Sequence, residues 1–384
     1  MKKQLLKLAV CSVMGLVSAS AQAQTSTTNN INTITTAVPF LRISPDARST
    51  GMGETGIATA PDAYSPFFNN GKTVFNEKQT GISVTYTPWL KDLNLSDVYF
   101  ATLSAYHKLD DAQAVNMGVR YFSLGSIQFT NDNGENLSTG KPREFAIDLG
   151  YSRKLSNRAG LGLNLRYISS DLTNGYTGGD YKKGSSVAGD LHFYMAPEAD
   201  GSGFAWGATL SNLGAKMGYT NDAKQKDFIP ANLGIGAAYT IAPNSDNKVT
   251  FALDVNKLLV PTPTDTSIAA LTEYRNKGVV SSWFSSFGDA PNGGGEEFKE
   301  FTLGVGGEYW YKNQFAFRAG YFYENPDKGN RRYVTVGAGL KYSQFGLNLS
   351  YIVPSGSGVD RNPLSNTIRF GVSLDLDGGT STTK

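Results

Sequence analysis

The strongest constraint on this chain is an alternation with period two that recurs along most of its length. Ile82, Val84 and Tyr86 alternate with Ser83, Thr85 and Thr87; Phe145, Ile147, Leu149 and Tyr151 alternate with Ala146, Asp148, Gly150 and Ser152. Val249, Phe251, Leu253 and Val255 alternate with Thr250, Ala252, Asp254 and Asn256, and the pattern is cleanest in 315–323, 334–342, 345–353 and 368–376. Successive side chains of a strand point to opposite faces, so each run carries one oily face and one small or polar face. Such runs number about fourteen, starting near Thr80, Val98, Ala114, Glu144, Ala159, Ser185, Gly203, Ala231, Lys248, Phe298, Gln314, Arg332, Gln344 and Asn366.

A water-soluble β-sandwich and a transmembrane β-barrel both alternate. A sandwich turns its oily face inward and clothes the other with Lys and Glu. Here the second face is mostly Gly, Ala, Ser, Thr and Asn with isolated Asp and Arg. Aromatic residues gather at strand ends: Trp89, Tyr99, Tyr106, Tyr309, Trp310, Tyr311, Tyr323, Tyr342 and Tyr351. That distribution predicts a 14-stranded antiparallel transmembrane β-barrel, its oily face against lipid and its aromatic girdles at the headgroup layers. Connection lengths agree. They are short after the second, fourth, eighth, tenth and twelfth runs, but long at 131–143, 171–184, 214–230, 258–297 and 354–365, after the third, fifth, seventh, ninth and thirteenth. Outer-membrane barrels have short periplasmic turns and long outer loops, and the even strand number predicts both termini on the periplasmic side.

Lys2, Lys3 and Lys7 precede an apolar core from Leu8 to Val17 and the small-x-small stretch Ala21-Gln22-Ala23, the pattern of a signal peptide over 1–23. Its apolar core is too short to span a bilayer. Its removal takes three lysines with it, moving the formal charge from +2 to −1, and also takes the single cysteine, Cys11. An exported chain without cysteine must rely on a closed sheet rather than on disulfides. The balance of 35 Lys+Arg against 33 Asp+Glu, with no basic run, argues against a nucleic-acid partner. One Cys and two His argue against multi-cysteine and three-histidine metal cages. The expected organisation is a signal peptide (1–23), an N-terminal extension and hatch (24–78), the barrel (79–376) and a C-terminal tail (377–384).

The segment 37–75 reads as ordered rather than as a leader. Gly51, Gly53 and Gly56 permit tight turns, Pro61 and Asp62 can start a short helix, and Phe40, Ile43, Met52 and Phe67 need burial. Irregular glycine-rich backbone survives at membrane depth only where protein shields it. A plug inside the lumen is therefore expected, in preference to a flap beneath the barrel.

Asp46-Ala47-Arg48, Gly51-Met52-Gly53, Gly56-Ile57-Ala58 and Pro61-Asp62-Ala63 resemble the N-terminal hatch of the fatty-acid-transporter-like outer-membrane barrels. Within them the chain resembles the PorV family, outer-membrane components of the type IX secretion system of Bacteroidetes. Lys72 and Phe75 following Asn69 fit the same branch, although the branch usually has Asn-Pro-Ala where this chain has Asn69-Asn70-Gly71. The resemblance spans essentially the whole mature chain. It implies a non-enzymatic protein of a Gram-negative outer membrane that receives secreted cargo by its C-terminal signal domain. It further implies that the protein meets the translocon barrel laterally and passes cargo to a surface attachment complex with a sortase-like component, in contact with the bilayer and its lipopolysaccharide. Asp46, Arg48, Gly51, Met52, Gly53, Asp62 and Asn69 make up the hatch motif of this resemblance.

No catalytic constellation emerges, and no cofactor or metal is expected. His107 and His192 have no Ser or Asp at motif spacing, and Gly304-x-Gly306-Gly307 lies within a strand rather than at a strand-to-helix turn. Asp132, Asn133 and Glu135 lack the spacing of a calcium loop. The longest outer loop is more informative. Its stretches 268–277 and 279–287 read as short helices, and Trp283, Phe284 and Phe287 form an apolar patch that Tyr176, Tyr181, Tyr219 and Phe228 can extend. Such patches mark partner surfaces unless they pack back into the barrel mouth. The expectation is that these loops bind the signal domain of cargo. The alternative is an outer-membrane transporter of long-chain fatty acids or other hydrophobic small molecules, which needs an apolar pocket between hatch and wall.

Overall fold

The structure is a computed structural model that describes residues 33–89, 97–131, 133–174, 181–222, 225–265, 267–353 and 366–377. The signal-peptide stretch, Cys11, Tyr176 and Asp132 lie outside the described residues. Fourteen strands form one closed antiparallel barrel. They are β1 (Thr80–Pro88), β2 (Val98–Lys108), β3 (Gln113–Leu124), β4 (Arg143–Lys154), β5 (Ala159–Asp171), β6 (Gly184–Met195) and β7 (Gly203–Gly214). The others are β8 (Asn232–Asn244), β9 (Asn247–Leu258), β10 (Phe301–Tyr311), β11 (Phe315–Tyr323), β12 (Arg332–Tyr342), β13 (Phe345–Ile352) and β14 (Ile368–Leu376). Sequence neighbours pair throughout, and β1 closes on β14 from Thr80 opposite Leu376 to Tyr86 opposite Phe370, so the barrel itself has no open edge.

The oily face points out. Leu149, Leu165, Phe251 and Phe317 are 58–61% exposed, whereas Asp148, Arg166, Thr250 and Arg318, their sequence neighbours, are 2–4% exposed. This inversion of the usual burial rule belongs to a barrel whose solvent is lipid. Aromatic placement departs from the expectation at three positions. Tyr86, Tyr99 and Tyr121 line up on the outer face with centroids 5.6 and 6.0 Å apart. Trp89, Tyr106 and Trp310 turn inward instead: Trp89 packs on Phe122 at 5.9 Å, Tyr106 donates to the Lys78 carbonyl, and Trp310 lies beneath the Arg318 guanidinium. Strand parity fixes the last two, since the residues two positions away on the same strands, Ser104 and Glu308, are also buried.

Connections alternate in length as expected. One end of the barrel carries 109–112, 155–158, 196–202, 245–246, 312–314 and 343–344; the other carries 89–97, 125–142, 172–183, 215–231, 259–300, 324–331 and 353–367. The long 259–300 connection contains helices α3 (Ile268–Asn276), α4 (Val279–Ser285) and α5 (Gly294–Glu297). Among the described residues no helix is long and apolar enough to cross a membrane.

Residues before β1 run through the lumen. Ile34 packs with Phe228, Leu258, Val260 and Tyr274 at the long-loop end, and Tyr274 donates to the Thr35 carbonyl. The chain then descends to Asn76, whose carbonyl accepts from Lys108 near the short-turn end, and enters β1. The two ends of the barrel sheet share the short-turn end. The first described residues lie at the long-loop end. Two short helices interrupt this inner segment, α1 (Ala47–Thr50) and α2 (Ser65–Phe68). The second begins three residues after Asp62, because Asp62 Oδ1 accepts from Tyr64 N and Ser65 Oγ, holding the preceding turn, while Pro66 occupies the first helical turn.

Candidate functional site

The motif residues of the inner segment either meet the wall or hold the segment's own turns. Arg48 forks onto Glu308 of β10, with Nε donating to Oε2 at 2.9 Å and Nη2 to Oε1 at 2.8 Å, and its Nη1 donates to Asp62 Oδ2 at 2.7 Å. Burial opposes the charge, yet Glu308 and then Asp62 hold the Arg48 pKa above its ordinary value. Glu308 also accepts from Arg318 Nε at 2.7 Å. A planar guanidinium suits such bidentate pairing, whereas an ammonium does not. Asp46 caps the helix Ala47–Thr50 by accepting from Ser49 N at 2.7 Å. Its burial, aided by Asp62, pushes the carboxyl up to about 6.

Glycines on both sides allow backbone to touch backbone. Gly53 has φ +68 and donates its N–H to Thr335 Oγ1; a Cβ built on Gly320 of β11 would lie 2.1 Å from Gly53 N, and one on Gly306 of β10 would lie 2.2 Å from Met52 O. Met52 fills the space beside Ala58, Ala238 and Ala252. Asp254 of β9 accepts from Gly56 N and Ile57 N at 2.7 and 2.9 Å. Lys72 ties the segment to itself, donating to the carbonyls of Gly56 and Thr59 and to Thr59 Oγ1; burial pulls its pKa down to about 8.

The Asn69-Asn70-Gly71 departure has a structural use. Asn69 Nδ2 donates to the carbonyls of Ile57 and Phe193. Asn70 Nδ2 donates to the Tyr151 carbonyl and to Asn164 Oδ1, and its Oδ1 accepts from Asn116. One amide thereby bridges β3, β4 and β5, which a proline cannot do. Gly71 is favoured by the close pass of Gly160, whose carbonyl oxygen would lie 2.9 Å from a Cβ added at Gly71.

A charge ladder in the same wall escapes sequence reading. Arg120, Asp148, Arg166 and Asp190 alternate across β3 to β6: Arg120 donates to Asp148 at 3.0 Å, Arg166 to Asp148 and to Asp190 Oδ2 at 2.8 Å. Arg120 also lies over the Phe67 ring of the inner segment at 4.7 Å and donates to the Phe67 carbonyl. His192 is buried beside Asp190, while His107 is exposed and paired with Thr80 Oγ1. The two histidines are not brought together.

At the long-loop end the aromatic residues divide. Phe284 is 75% and Phe287 47% exposed on and just beyond α4, and Trp283 of α4 is half-buried. Phe228 is buried, in contact with Tyr274 at 5.1 Å and beneath Lys216 Nζ at 4.1 Å, so it supports the cap from below and offers no outer surface. Tyr219 is half-buried and donates to Ser170 Oγ at 3.0 Å. Asp289, Glu297 and Glu300 approach closely enough to suggest a cation site, but Lys257 Nζ already stands there, 2.6 Å from Glu297 and 2.7 Å from Glu300. Asn131 Oδ1 accepts from Asn133 N and Glu135 N, so that stretch forms a side-chain-capped turn.

Comparison with solved structures identifies the architecture. The chain is similar to the toluene transporter TbuX of Ralstonia pickettii, with 11% identity, TM-score 0.51, and coverage of 91% of this chain and 99% of that one. It is similar to the P. putida toluene transporter TodX, with 13% identity, TM-score 0.51, and coverage of 87% and 99%. It is also similar to a TodX deltaS2S3 mutant monoaromatic hydrocarbon channel, with 15% identity, TM-score 0.52, and coverage of 87% and 99%. At such identity these likenesses establish the fold alone. No curated protein sequence matches the chain. The model of the type IX secretion system protein PorV matches residues 25–265, well over half of the chain. The chain belongs to the PorV family, and is an outer-membrane β-barrel component of the type IX secretion system.

Proposed function

We propose that the protein binds the C-terminal signal domain of translocated cargo at its long-loop end and carries that cargo from the translocon barrel to the surface attachment complex with its sortase-like component. The long loops then face the cell exterior, the short turns and the end of β14 face the periplasm, and the wall meets bilayer and lipopolysaccharide. One observation carries this reading: the inner segment is bonded to inward side chains or backbone of strands all around the lumen, while exposed aromatic side chains stand on the long loop outside it. Function therefore resides on the loop surface rather than along the bore. The motif residues Asp46, Arg48, Gly51, Met52, Gly53, Asp62 and Asn69 act in this reading as the plug's fastenings, and Trp283, Phe284 and Phe287 as the contact.

Replacing Trp283 and Phe284 together by Ala is expected to lower recovery of cargo by the purified protein at least about tenfold, since buried aromatic anchors dominate interfaces. Abundance and heat-modifiability of the barrel should stay at the parental level. Undiminished cargo recovery would refute the assignment of this patch. A second reading, transport of fatty acids or other hydrophobic small molecules, has the fold of the toluene transporters in its favour. Uptake of such molecules lost on deletion, with secretion intact, would select it.

A further inference from the structure

Arg369 of β14 points into the lumen and is 1% exposed. Its guanidinium lies 6.0 Å from the Trp89 ring, and no hydrogen bond or ion pair from any described residue reaches it; Nε and Nη1 are both buried without partner. Its situation is unlike that of the other buried arginines and of the buried Lys257 and Lys328, whereas the buried Lys72 is satisfied by carbonyls and a hydroxyl. Arg48, Arg120, Arg166, Arg318, Lys257 and Lys328 each reach a carboxylate within 3.0 Å. A buried charge left uncompensated is strongly unfavourable, so an opposite charge is missing from this site.

The surroundings define what is missing. Ser350 stands opposite Arg369 on β13, and the register of Tyr86 opposite Phe370 puts Thr87 beside it on β1. Ser350 Oγ and Thr87 Oγ1 are likewise buried without partner. The carboxylates nearby are already engaged: Glu54 accepts from Tyr333 OH at 2.6 Å, and Glu324 accepts from both Arg42 and Arg331. Asp46 caps its helix, and burial disfavours its charged form. Three guanidiniums, Arg42, Arg331 and Arg369, thus share two carboxylates. Water can fill the hydrogen bonds of such a site but cannot supply the charge.

We propose that Arg369, Ser350 and Thr87 hold a small monovalent anion, halide or carboxylate, between the inner segment and the β13–β14–β1 wall. The site is independent of cargo binding. Its role is to fasten the inner segment where three guanidiniums face two carboxylates.

The full chain in detergent, unfolded by heat at constant ionic strength, tests this. The midpoint should rise and saturate with chloride, bromide or acetate but not with a bulky sulfonate. The dependence should vanish in Arg369→Met, and half-saturation should move at least fivefold higher in the Ser350→Ala/Thr87→Val double variant. Bromide-soaked crystals should show an anomalous peak beside Arg369. An identical midpoint in every salt, a dependence retained in Arg369→Met, or a bromide map empty at Arg369 would each overturn the proposal in favour of water alone. If Arg369→Met does not fold, the double variant and the bromide map decide.

Discussion

Gly320→Ala is expected to unseat the inner segment while leaving the barrel closed. The added Cβ would lie 2.1 Å from Gly53 N and 2.2 Å from Met52 C, and both neighbours are backbone. Gly53 cannot retreat by changing conformation, because its φ of +68 is itself fixed by a turn in which Glu54 N bonds back to Ser49 O. Over-packing costs about 1–3 kcal/mol where side chains can give way, and here none is available, so about 3 kcal/mol or more is expected. Residues 33–79 should become sensitive to protease and the protein should conduct ions across a planar bilayer. Gly307→Ala, on the outward face of the neighbouring strand β10 with no atom beyond its chain neighbours nearer than 3.9 Å, is the matched control and should change nothing. A Gly320→Ala protein whose inner segment stays protected, with stability within about 1 kcal/mol of the parent, would contradict the packing described above.

The second large effect is expected at Arg48. Arg48→Met removes both hydrogen bonds to Glu308 and the one to Asp62, leaving Glu308 with Arg318 alone. Breaking a buried pair strands the remaining charge, and a loss of about 3–5 kcal/mol is expected in equilibrium unfolding from lipid vesicles. Arg48→Lys should fall only partly short of this loss, because an ammonium cannot reproduce the fork. Adding Glu308→Gln to Arg48→Met should cost less than Glu308→Gln costs the parent, since the Arg48–Glu308 bonds are already gone, even though it leaves the buried Arg318 without its carboxylate. Additive losses in the double variant would mean that the two residues are not coupled.

How much of this was legible in the sequence follows from how local each signal is. Alternation is a two-residue signal and survives any register, so strand starts lie within three residues of those read from it. The largest gap is at β10, which begins at Phe301 and not at Phe298. There 294–300 winds into helical turns because Glu296, Glu297 and Glu300 must reach Lys257 and Lys328, partners contributed by distant segments. The lumen ladder was illegible for the same reason: Asp148 meets Arg166 only once β4 and β5 are in register, and neither residue stands out alone. The glycine spacing of the inner segment was legible as tight turning, but its matching glycines, Gly304, Gly306, Gly320 and Gly337, sit on three different strands. Phe228 read as a surface aromatic because nothing local says that Ile34 and Tyr274 will cover it.

The most direct test of the account is site-specific photo-crosslinking in intact cells actively secreting cargo. A photoreactive residue at position 284, on the long loop, should capture the C-terminal signal domain of cargo. One at position 347, on the lipid-facing wall near the short turns, should not. Adducts from 347 but not from 284 while secretion proceeds would contradict the claim that cargo is received on the exterior loop surface of a plugged barrel.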